Sequence, residues 1–116
     1  MAIELRVAAN QQNLEQLRPY FKERCQELEI NEKEAEPILF AAIKAFSAVC
    51  LAASGRTVMF NLRRLRWEIS LRLEFEYQNE EEPLGLTAAL YCPPAARTEF
   101  TTRGGRGIWI AIWENQ

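Results

Sequence analysis

Histidine and aspartate are both missing from this chain of 116 residues. Without histidine there is no Ser–His or Cys–His nucleophile pair and no imidazole general base, and most transition-metal sites lose their commonest ligand. Glutamate is left as the only acidic side chain. Cysteine is sparse, and the wide, odd-numbered spacing of Cys25, Cys50 and Cys92 suits neither a disulfide framework nor a zinc site, which points to a reducing cytoplasm. A net charge of -2 gives no general signal for nucleic acid or for a membrane surface. The longest nearly uninterrupted apolar stretch, Ile38 to Ala53, covers roughly 24 Å as a helix and falls short of the ~20 apolar residues that a bilayer span requires. The first residues, MAIELRVAA, lack the layout of a signal peptide, and the expected location is the cytoplasm.

What is present reads as one globular domain over residues 1–116, with 48% hydrophobic and 26% charged residues. A domain of this size hides about two thirds of its unfolded surface. Its centre is the segment Asn31 to Gly55, polar between Ile38 and Ala53 only at Lys44 and Ser47, and a helix this apolar belongs in a core. Asn31 is a good N-cap, and Glu34 three residues on completes an asparagine version of the capping box. Gly55 offers a left-handed C-cap. Pro37 predicts a kink, or a helix that properly starts near Glu36.

Before this segment, Ile3, Leu5 and Val7 alternate with charged residues as a short strand, and Leu14, Leu17, Phe21, Cys25 and Leu28 recur at amphipathic helical spacing, with Pro19 inside the pattern. After it, Val58, Phe60 and Leu62 mark a strand. Trp67, Ile69, Leu71, Leu73, Phe75 and Tyr77 alternate with Glu68, Ser70, Arg72, Glu74 and Glu76 as a long antiparallel strand with one wet face. The link Arg63 to Arg66 carries no hairpin turn signal. Residues 78–102, with the acidic run Glu80 to Glu82, Pro83, Gly85, an apolar piece from Leu86 to Tyr91 and Pro93-Pro94, read as a long loop with room for one short strand. Ile108 to Trp113 is β-branched and aromatic, a strand by local preference. These elements predict an α+β fold, a two-layer sandwich with helices on one face of a mixed or antiparallel sheet.

Strand, helix, long buried helix, two long antiparallel strands, loop and a terminal glycine-rich turn resemble, in that order, the GHKL-type (histidine-kinase-like) ATPase fold, and within it the small serine-kinase anti-sigma factors of bacterial partner switching. The resemblance aligns Lys44 with the family's catalytic glutamate, Ala48 with its magnesium-binding asparagine and Ala52 with the histidine of the N-box. The family's Asp-x-Gly motif, expected near Phe75 to Glu82, is also missing. Gly104, Gly105, Arg106 and Gly107 look like the late glycine box, where backbone N–H groups and a helix N-terminus meet nucleotide phosphates. On that alignment the terminal residues become a helix, against their local preference.

A GHKL kinase needs magnesium and a carboxylate to position and neutralise the transferring phosphoryl group, and Lys44 supplies neither. The resemblance therefore implies a degenerate, non-catalytic regulatory module that binds a protein such as a sigma factor or an antagonist domain, or a second copy of itself, without nucleic acid or membrane. Two alternatives stand beside it. One is an active ATP-binding protein or serine kinase in which Glu36, Glu74 or Glu76 replaces the missing carboxylates. The other is a structural subunit of an oligomer. Gly104 to Gly107 is either a phosphate cradle or a plain turn. Lys44 reads most simply as a stem that snorkels to the surface. Arg63, Arg64 and Arg66 are either a partner surface or a solvated hairpin tip, and Trp109 and Trp113, four apart, are either core or interface anchors.

Overall fold

The computed structural model describes residues 3–78, 93–94 and 96–114. The acidic run, the Leu86 to Tyr91 piece and Cys92 lie outside the described residues. Among those described, the chain runs β1 (Glu4–Ala8), a short 3-10 turn (Gln11–Asn13), α1 (Leu14–Glu27), α2 (Glu32–Ala52), β2 (Thr57–Leu65), β3 (Glu68–Glu76), β4 (Ala96–Arg103) and β5 (Arg106–Glu114). The strands form one sheet in the order β1-β2-β3-β5-β4, with every neighbouring pair antiparallel. Both helices lie on one face, giving the α+β two-layer sandwich that the alternation patterns predict.

The period-two pattern decides what each strand buries. Val58, Phe60 and Leu62 of β2, Ile69, Leu71, Leu73 and Phe75 of β3, and Trp109 and Ala111 of β5 all point into the helix-facing layer and are buried. α2 meets them with Ala41, Ala42, Ala45 and Ala48, whose small side chains let the helix lie close to the sheet, while Phe46 reaches down to Phe60 at 6.1 Å between ring centroids. α1 contributes Leu17 and Phe21, the latter edge-on to Phe60 at 5.6 Å. The Tyr20 hydroxyl donates to the Ile3 carbonyl at 2.6 Å and ties α1 to the start of β1. By length and composition α2 would also suffice to cross a membrane, but its buried residues, Ile38, Phe46 and Val49 among them, give it the surroundings of a core helix.

The asparagine cap forms as the sequence predicts. The Asn31 carboxamide oxygen accepts from the Glu34 N–H at 2.9 Å while its Nδ2 donates to the Glu34 carboxylate at 2.8 Å. The cap fixes the start of α2 at Glu32, not near Glu36, and Pro37 sits inside the helix, as Pro19 does in α1. Each proline removes one backbone bond in the second turn, a local loss that burial of the rest of the helix outweighs. Gly55 does adopt a left-handed φ of 81°, two residues beyond the C-cap Ala53, and its N–H donates to Ala9.

Three expectations are corrected. The segment 78–102, read as a long loop with room for one short strand, ends in a full eight-residue strand, β4 (Ala96–Arg103). The terminal residues are strand β5, not helix: their β-branched and aromatic side chains fill a continuous register between β3 and β4, so local preference prevails over the alignment. Trp67 does not extend the buried row of β3. It falls in the two-residue turn after β2, 68% exposed, with the Arg66 guanidinium 5.3 Å from its ring centroid.

Candidate functional site

The glycine run is accounted for residue by residue. Gly104 (φ 59°) and Gly105 (φ 78°) are the two central residues of the β4–β5 hairpin, and positive φ at both is the requirement of a type I′ turn. The Gly105 carbonyl accepts from the Tyr77 N–H at 3.0 Å. Gly107 is buried beneath Phe75, and a Cβ there would lie 2.5 Å from Phe75 Cζ. Phe75 in turn stacks on Phe100 at 6.3 Å. Arg106 turns to the opposite face, helix-free among the described residues, where it and Arg72 both pair with Glu74, the Arg106 contact at 3.8 Å. No helix begins at this turn, so the helix N-terminus on which the phosphate-cradle assignment of Gly104, Gly105, Arg106 and Gly107 depended is replaced by strand.

The residues assigned to partner binding separate into different roles. Arg64 donates to the carbonyls of Leu28 (3.0 Å) and Glu29 (2.5 Å) at the end of α1. That end is a Schellman turn: Ile30 N–H bonds the Cys25 carbonyl, Glu29 N–H bonds that of Gln26, and Glu29 takes the left-handed φ of 57° that glycine normally fills. Arg64 is therefore a cap for carbonyls at the negative end of the helix dipole. Arg66 lies on Trp67, and Arg63 is exposed on the helix-free face. Trp109 is core, 1% exposed, with an indole N–H that has no partner among the described residues. Its assignment as a surface anchor is overturned, because β5 directs it into the buried layer beside Leu73. Trp113 is half-buried.

Arg64, Ile69, Trp113 and Ala96 form one row across β2, β3, β5 and β4. The glycine turn lies at the other end of these strands, seven positions along β3, about 23 Å away. The two sets of assigned residues thus do not meet. At the Trp113 end, a groove of 830 Å³ opens between the first turns of α2 and the sheet. Ile38, Ile69 and Trp113 give it an apolar lining, and Lys33, Arg97 and Glu114 stand around it, Arg97 pairing with Glu114 at 3.3 Å. Pro37 joins the groove to a stripe along α2 at helical spacing: Pro37, Phe40, Lys44, Ser47 and Leu51. Phe40 is 49% and Leu51 81% exposed, and the Lys44 ammonium sits 5.4 Å from the Phe40 ring centroid. Lys44 does snorkel to the surface, and its cation–π contact lies in water rather than in a pocket.

The sequence reading does not single out Phe40 and Leu51. A signal exists all the same: a helix apolar nearly all round, where the described elements make two layers, must leave one side uncovered by them. Glu36, Glu74 and Glu76, the candidate substitutes for the missing carboxylates, do not converge. Glu36 lines a cleft against α1, whereas Glu74 and Glu76 lie beneath the sheet on the helix-free face. Burial pushes the Cys25 and Cys50 thiols up, which keeps them protonated and unreactive. Among the described residues no cluster of cysteine and glutamate is arranged to hold a metal ion. No protein-family model matches the chain, and no curated protein matches it either.

Proposed function

We propose that this chain is a non-catalytic, protein-binding regulatory module, a GHKL-like domain of the anti-sigma or partner-switching type that has lost its magnesium-dependent chemistry and works in the bacterial cytoplasm. The observation that carries the reading is the outward stripe of α2. The helix that would bear the catalytic glutamate and the magnesium-binding asparagine bears Lys44 and Ala48 at those positions, and exposes Phe40 and Leu51 instead. Large apolar side chains in water beside a groove with an aromatic wall are the composition of a protein-binding surface, not of a phosphoryl-transfer centre. The partner is a folded protein such as a sigma factor or an antagonist domain.

The test has two arms. ATP or ADP at millimolar concentration, with or without magnesium, leaves the melting temperature of the chain unchanged, since a ligand that does not bind the native state cannot stabilise it. Titration of the purified chain against the sigma factors and antagonist domains of its own genome gives one saturable complex, which Leu51→Glu abolishes without changing the melting temperature. A saturable, magnesium-dependent stabilisation by ATP would overturn the reading in favour of a working nucleotide-binding protein.

A further inference from the structure

Among the described residues, strand β4 is an outer edge of the sheet. It is eight residues long with no proline between Ala96 and Arg103, and its side chains are mostly exposed. Thr98 is already engaged, but from Glu99 to Arg103 no described residue outside β5 pairs with the backbone, and a stretch like this is open to any strand that fits it. The other edge, β1, has five residues; Arg6 on it already pairs with Glu4, and the neighbouring Ile3 carbonyl is taken by Tyr20. Charges on β4 would normally repel a like strand. Here their order makes the strand complementary to itself.

Arg97, Glu99, Thr101 and Arg103 line the helix-free face of β4, and Phe100 and Thr102 the helix-facing side. Residues directly opposite in an antiparallel pair share a face, so two copies of β4 related by a two-fold axis must pair odd positions with odd and even with even. With the axis at Phe100, Arg97 meets Arg103 of the second copy. With the axis at Glu99, two glutamates meet each other. With the axis at Thr98, Arg97 meets Glu99, but Arg97 is already held by Glu114, and Pro93 and Pro94 are carried alongside the partner strand. With the axis at Thr101, Glu99 meets Arg103 twice, Thr101 meets itself, and Phe100 meets Thr102 on the other face. Glu99 and Arg103 are exposed and have no ion pair among the described residues, so this register supplies both with partners.

We propose that the chain forms a two-fold dimer through antiparallel pairing of β4 with β4 of a second copy, centred on Thr101 and locked by two reciprocal Glu99–Arg103 pairs, so that the two sheets join into one. The pairing brings the second copy's glycine turn beside Arg97 at the rim of the groove while the α2 stripe lies on the helix layer away from β4, and the proposal holds whether or not the partner-binding reading above does.

Sedimentation of the full chain from low to high micromolar concentration tests this. A monomer–dimer equilibrium is expected. Glu99→Arg and Arg103→Glu each weaken the dimer by about tenfold, through two like-charge contacts in place of two attractive ones, and the double reversal restores it. In a Cys92→Ser background, Thr101→Cys oxidises to a covalent dimer, because residues on the axis bring their Cα atoms to about 5 Å, within disulfide range. Ala8→Cys, exposed on β1, does not. A chain that stays monomeric at the highest concentration overturns the proposal. So does a dimer indifferent to both single reversals, and so does Thr101→Cys cross-linking no faster than Ala8→Cys.

Discussion

Gly107→Ala tests the account of the glycine run most directly, because it adds one methyl group to a position whose conformation alanine tolerates. Gly107 is not among the glycines of positive φ, so any cost comes from packing alone. The new Cβ would lie 2.5 Å from Phe75 Cζ, a contact that forces the ring to move. The ring has little freedom: Phe75 is 2% exposed and lies parallel to Phe100, 7° between planes. Overpacking a well-filled core costs about 1–3 kcal/mol, and the entropy gained by removing a glycine from the unfolded chain returns about 0.4–1 kcal/mol. The net loss is about 1–2 kcal/mol, a fall in melting temperature on the order of 5–10 °C for a domain of this size. Phe75→Leu alone also destabilises, by creating a cavity. In the double variant the smaller side chain makes room for the methyl, and the cycle yields a favourable coupling of about 1 kcal/mol in urea titrations. A neutral Gly107→Ala, or strict additivity in the double variant, would refute the claim that Gly107 is present to accommodate Phe75.

Gly104→Asn should match or slightly exceed wild-type stability in thermal unfolding, since asparagine accepts the left-handed region that this turn position demands; Gly105→Val, with a β-branched residue at φ 78°, should unfold several degrees earlier whether nucleotide is present or not. Glu29→Gly should raise stability by about 0.5–1 kcal/mol, because a left-handed φ of 57° strains any side chain with a Cβ, and glycine is the usual occupant of that Schellman position. Burial pushes the Tyr20 phenol up, so its contribution is fully present below the ordinary tyrosine value of about 10 and is lost as pH rises through the higher folded value. Tyr20→Phe should therefore cost about 1 kcal/mol at neutral pH through the lost bond to Ile3, and flatten the alkaline decline in stability followed by circular dichroism.

The elements that the sequence discloses are those whose signal is local. The alternation from Ile69 to Phe75 states its own buried face, the three-and-four spacing of Leu14 to Cys25 does the same for α1, and the Asn31–Glu34 cap is a contact between residues three apart. The features that escape a sequence reading depend on partners distant in the chain. Gly107 is explained by Phe75, and Arg64 by carbonyls at the far end of α1; nothing near either residue reveals the other half. The terminal segment is legible in the β-branched run of Ile108, Ile110 and Ile112, and an alignment on glycines overrides that signal wrongly. Two neighbouring glycines can look alike whether they cradle an anion or turn a hairpin, and only the next element, helix or strand, separates the two uses. Of the candidate surface, Lys44 stands out in the sequence and its apolar neighbours Phe40 and Leu51 do not, since exposure of an apolar residue depends on how many layers the fold has.

The order of the sheet also bears on how the chain folds. β2–β3 and β4–β5 are each closed by a two-residue turn, so both hairpins form from residues already close together. β1 must instead find β2 with the whole of both helices lying between them in sequence, at the larger loop-closure cost of a distant contact. The N-terminal strand is then the last to dock and the first to leave. Amides of Leu5 and Val7 should exchange with solvent through openings that leave β3 and β5 intact, and the Tyr20–Ile3 bond is the latch that limits how often that happens.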